Sequence, residues 1–190
     1  MIDDPLHPHL RASLVDFPLI PSGLACVHRP LDGIKAVVFD FYDTLVLTEA
    51  RGIPHGYESA AILGDDLCRE LRAGGAKIPA TARSLQDRVT FAIHAEHERR
   101  KSMEPTLRQP EVDIRAMWRI ALDAPALCNR VLGRALACWE AWTTKSRIAP
   151  GAIDMLAVLR ARGLVLGIGS NAQEVSESLF SLHFGGTPES

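Results

Sequence analysis

Two polar residues stand at the ends of apolar runs, and both are of types that do chemistry. Ala36-Val37-Val38-Phe39 breaks off at Asp40, and Leu164-Val165-Leu166-Gly167-Ile168-Gly169 breaks off at Ser170, followed by Asn171. A carboxylate there can act as a nucleophile and form a covalent intermediate. A hydroxyl at the approach to a helix can hold an anion, because free backbone N–H groups and the helix dipole favour negative charge there.

The elements around these residues follow from spacing. Both runs are nearly continuous β-formers, which suits strands covered on both faces in a parallel sheet. In open α/β sheets, ligands bind beyond the carboxyl ends of such strands. Pro150-Gly151 opens a helical stretch through Ile153, Leu156 and Leu159, and Gly163 stops it before the second strand. Val175, Leu179 and Leu182 then recur at helical spacing, which sets Ser170 between a strand end and a helix start.

With Asp40-Phe41-Tyr42-Asp43-Thr44-Leu45 and the later strand-Ser170 in this order, the chain resembles the haloacid dehalogenase-like (HAD) hydrolase superfamily over roughly residues 34–184. The resemblance implies an α/β fold: a Rossmann-like doubly wound parallel sheet, incomplete here, with an inserted all-helical cap domain. It implies an extended lead-in over 1–33, a core over 34–48 and 148–190, and a cap over 49–147. Asp40 then corresponds to the attacking carboxylate, while Ser170, Asn171 and Thr44 correspond to groups around the substrate's anion.

Phosphatases of the family carry a second Asp two residues after the first, as acid and base. Here that place holds Tyr42, and a phenol with a pKa of about 10 is a poor base at neutral pH. Tyr at this position resembles the 2-haloacid dehalogenase branch, whose leaving halide needs no proton. Asp43 either supplies the missing acid or caps the turn. The implied cofactor is Mg²⁺ on Asp40 and the main-chain carbonyl of Tyr42 for a phosphatase, and none for a dehalogenase. Either way the expected partner is a small-molecule substrate.

The family's third and fourth motifs supply a cation and further metal-binding acids. No Lys or Arg follows Arg162 and no Asp follows Asp154, so a truncated, catalytically incompetent remnant or binding module is the alternative expectation. Lys145, within the cap, is a candidate substitute for the missing cation.

Residues 49–147 read as helical. Ile114, Met117, Trp118, Ala121 and Leu122 form one apolar stripe, and Leu127, Val131, Ala135, Trp139 and Trp142 form another. Weaker helices are expected over Tyr57–Ala73 and Ser84–Lys101, with breaks at Gly74-Gly75, Pro79, Pro105 and Pro110. The tryptophans fall on apolar stripes and read as cap core. His94 and His97, spaced for a shared metal, sit among alternating charges and read instead as a solvated helix face.

A formal charge of -2 over 190 residues offers no case for nucleic-acid binding, and no stretch approaches a membrane span. Asp3 and Asp4 and five prolines before Gly33 exclude a signal peptide and predict an extended segment in which His7 and His9 are solvated. Cys26, Cys68, Cys128 and Cys138 lack metal-type spacing and read as buried reduced thiols, which suits a cytoplasmic compartment.

Overall fold

The computed structural model describes residues 4–21, 23, 25, 32–108, 110–170 and 175–186. They form a mostly helical α/β structure with two small sheets. In the first, β1 (Ala36–Phe39) pairs in parallel with β4 (Val165–Ile168), Ala36 opposite Val165 and Phe39 opposite Ile168. In the second, β2 (Val46–Ala50) pairs antiparallel with β3 (Thr144–Ile148). Among the described residues no larger sheet is built on β1 and β4, so a doubly wound sheet is not evident.

The ribbon β2–β3 corrects the expectation that the chain becomes helical directly after Val46. Its strands are joined across a long intervening segment, and Leu47 faces Arg147 while Glu49 faces Lys145. Pairing at such separation leaves little local trace, because cross-strand neighbours rather than sequence neighbours stabilise a ribbon.

Between the ribbon strands run α2 (Ser59–Leu63), α3 (Asp65–Ala73), α4 (Ala82–Met103), α5 (Ile114–Ala121) and α6 (Asn129–Thr143). The stretch expected as one helix from Tyr57 is two, because Gly64 at φ 81° serves as the C-cap of α2 and the N-cap of α3. Thr81 caps α4 by accepting from the Ser84 amide at 3.2 Å, and Asp113 caps α5 through the amides of Arg115 and Ala116 at 2.9 and 3.2 Å. The stripe of α6 is the centre of the core: Leu132, Ala135 and Ala137 are fully buried, among Leu67, Leu71, Trp118 and Leu122. Trp118 and Trp139 meet edge to face at 5.5 Å.

After β3, α7 (Ala152–Ala161) leads into β4, and α8 (Ser176–Phe184) follows. Phe39, Leu166 and Ile168 face a cavity of about 430 Å³ shared with Leu156 of α7 and Phe180 of α8. On the other face Val38 and Val165 are 70% and 68% exposed. The expectation of strands buried on both faces is therefore corrected: apolar composition calls for two covering layers, and two strands carry one.

The lead-in is not wholly extended. Residues His7–Leu10 form α1, with Pro8 in its first turn, and Arg11–Ser13 continue as a 3-10 turn. Leu10 is fully buried and Phe17 nearly so. Among the described residues no helix is long and apolar enough to cross a membrane.

Candidate functional site

Parallel pairing brings the two candidate strand ends together. The Gly169 amide donates to the Phe39 carbonyl at 2.9 Å, so the register of β1 and β4 continues to set Asp40 beside Gly169, with Ser170 one residue beyond. A Cβ at Gly169 would stand 2.9 Å from Val38 Cγ1, so a larger residue there would need the Val38 side chain to shift. Asp40 is exposed and Ser170 partly so. Asn171 lies outside the described residues.

The Asp40 turn is tightly built. The Asp40 carboxylate accepts from the Phe41 amide at 2.7 Å. Leu45 and Val46 amides both donate to the Phe41 carbonyl at 3.0 Å, and the Asp43 amide donates to Val46 O at 2.7 Å. Phe41 and Leu45 plug the core beneath, 2% and 1% exposed. This leaves Asp40 and Thr44 on the outside of an anchored loop, where ligands can reach them.

Asp43 stands at φ 55°, and its Oδ1 accepts from the Thr48 amide at 3.1 Å and the Thr48 hydroxyl at 2.9 Å. The carboxylate thereby staples the turn to β2, the capping geometry open to short acidic side chains.

Tyr42 points inward. Its hydroxyl pairs with Ser176 Oγ at 3.1 Å, tying the Asp40 turn to the first residue of α8. Burial, opposed by the Ser176 bond and reinforced by the nearby Glu140 carboxylate, pushes the phenol up to about 12. A group so hard to ionise cannot serve as a base near neutrality. Glu140 itself is raised by burial, against a hydrogen bond from Thr144. Neither Ser176 nor Glu140 was identified from sequence. A serine opening a helix signals only a cap, and Glu140 reaches Tyr42 solely through tertiary packing.

Other candidates lie elsewhere. Lys145 is held by Glu49 across the ribbon. His94 and His97 have ring centroids 6.5 Å apart, and Glu96 is clamped by Arg99 and Arg100, each at 2.7 Å. Cys68 is buried, Cys138 partly buried and Cys128 exposed; all three are free thiols, so the expectation of buried cysteines fails at Cys128, just outside α6. Cys26 lies outside the described residues.

Among the described residues no group of three or more His, Cys, Asp or Glu side chains is placed to hold a metal ion. Asp40 and the Tyr42 carbonyl offer one carboxylate and one carbonyl, a set that fits a mostly hydrated Mg²⁺ rather than one caged by protein. The cavity near the strands is lined by Phe39, Leu45, Phe180 and Phe184, with Arg160, and not by Asp40 or Ser170. It is a gap between packed layers, separate from the strand-end site.

No family model matches the sequence, and no curated protein matches it. The functional reading therefore rests on the geometry of the two strand ends.

Proposed function

We propose that this chain is a HAD-like hydrolase in which Asp40 attacks a small phosphorylated or halogenated metabolite, while Ser170 holds the substrate's anionic group. The observation that carries the reading is the parallel pairing of β1 with β4, with Asp40 and Ser170 at neighbouring carboxyl ends. In this reading β1 and β4 are the central pair of a Rossmann-like doubly wound sheet, and residues 49–147 are its cap. Thr44, exposed on the same turn, and Asn171, next in sequence to Ser170, are assigned to the same anion.

The carboxylate displaces an alkoxide from phosphorus, forming an acyl phosphate, or a halide from carbon, forming an ester, and water then cleaves that intermediate to restore the carboxylate. Tyr42, turned inward onto Ser176, is assigned to position the loop rather than to move protons. With Asp43 engaged by Thr48, the turn offers little for protonating an alkoxide, which favours a leaving group that needs no proton. Mg²⁺, if used on a phosphoryl substrate, would be met by Asp40 and the Tyr42 carbonyl and would offset charge developing on the transferred group.

A second reading, a non-catalytic remnant or binding module on this scaffold, is favoured by one observation: Lys145, the substitute for the missing cation, is taken up by Glu49. Turnover of a generic phosphate ester with and without Mg²⁺, and halide release from a 2-haloacid, separates the readings. The hydrolase reading expects one of these activities in the purified chain and its loss in Asp40→Asn. No turnover of either substrate by a chain that melts cooperatively would leave the binding-module reading standing instead.

A further inference from the structure

Residues 4–17 lie across three elements that are remote in sequence, and two histidines, His7 and His9, are among the joints. His7 Nε2 meets Ser181 Oγ of α8 at 2.6 Å, and His9 Nδ1 meets Cys138 Sγ of α6 at 3.4 Å. Ser13 Oγ lies 3.2 Å from Ser146 Oγ of β3, and the same Ser146 hydroxyl meets His183 Nε2 of α8 at 3.0 Å. Leu14 forms a bridge to Ser146, and Arg147 donates to the Phe17 carbonyl at 2.9 Å. Leu10 and Phe17 are the apolar pins. The expectation that His7 and His9 are solvated fails here, because the short helix turns both rings onto the body of the protein.

We propose that residues 4–17 form a pH-operated strap that pins α6, β3 and α8 together at neutral pH and comes away from them in mild acid, as His9 and His183 take up protons. His183 meets the Ser146 hydroxyl, which the Ser13 hydroxyl of the strap meets from the other side. The charged residues flanking Ser146 are already committed, Lys145 to Glu49 and Arg147 to Asp16. His9 faces Cys138 and Arg134 of α6, and the latter is paired with Glu70 of α3 at 2.7 Å. His7 differs, since Asp4 stands 3.7 Å away, and the switch is assigned to the other two rings.

Burial lowers both His9 and His183, and Arg134 lowers His9 further. The sign follows. The closed strap holds both rings neutral, whereas released rings titrate near 6.5. Closure is therefore complete above that pH and is lost as pH falls from about 6.5 toward the lowered values of the closed state. Each proton taken up on release changes the opening equilibrium about tenfold per pH unit, so two protons change it up to about a hundredfold.

The test is hydrogen exchange on the full chain between pH 7.5 and 5.5, corrected for the intrinsic rate at each pH. The Leu10 and Leu14 amides, bonded to the Leu6 and Arg11 carbonyls, report the strap, and α6 amides provide the reference. Strap protection is expected to fall about ten- to a hundredfold per pH unit below 6.5 while α6 holds. In His9→Asn/His183→Gln, whose amides replace the two engaged ring nitrogens without titrating, the pH dependence is expected to vanish. An unchanged slope in that variant, pH-independent protection in the parent chain, or parallel loss across α6 would each overturn the proposal. Ring titration of the parent chain by NMR covers a variant that does not fold: midpoints below 6.5 support the strap, and midpoints at or above 6.5 refute it.

Discussion

Asp43 shows how one side chain can hold a turn in shape. Its left-handed backbone costs a β-carbon residue about 1 kcal/mol or more, and the two bonds from Thr48 offset that cost. Asp43→Ala removes both bonds and keeps the strain, so it is expected to destabilise the fold by about 1–2 kcal/mol in urea unfolding. Asp43→Asn, which tolerates the same backbone and keeps an acceptor, is expected to cost less than half as much. Equal losses in Asn and Ala would show that the negative charge itself, rather than the turn geometry, is what matters.

At the scale of elements, α6 and α7 are both rich in apolar residues and have opposite roles. Leu132 of α6 is fully buried between α3 and α5, whereas Ile153 and Val158 of α7 are 54% and 51% exposed. Leu132→Ala should therefore cost about 2–5 kcal/mol by lost transfer energy and cavity formation. Ile153→Gln should stay within about 0.5 kcal/mol, as surface changes do. Thermal melts of the two variants measure the contrast, and equal costs would mean that α7 is covered in solution. Composition alone orders them wrongly, since α7 is the more apolar of the two and the more exposed; burial depends on what lies opposite.

For the whole molecule, the open side of the β1–β4 sheet is an exposed apolar feature. Val38 and Val165 stand in solvent on a sheet that has two strands among the described residues, an arrangement that invites pairing with other chains. Sedimentation velocity at rising concentration is expected to show self-association, and Val38→Lys should reduce it while leaving the melting temperature within about 2 °C. Loss of folding on Val38→Lys would instead indicate that this face is packed. The strap across α6, β3 and α8 belongs to the same scale, since its contacts join elements remote in sequence.

What the sequence determined by itself was local. Apolar runs ending at Asp40 and Ser170 specified β1 and β4, spacing of three and four residues specified α5 to α8, and Gly163 and the prolines marked the breaks. Such signals are written in consecutive residues because helix and strand periods are short. The tertiary structure alone decided the β2–β3 ribbon, the engagement of Tyr42 with Ser176 and Glu140, the exposure of Val38, and the seating of His7 and His9. Each depends on a partner far along the chain, and the free energy of burial or of a hydrogen bond is set by that partner, not by neighbours in sequence.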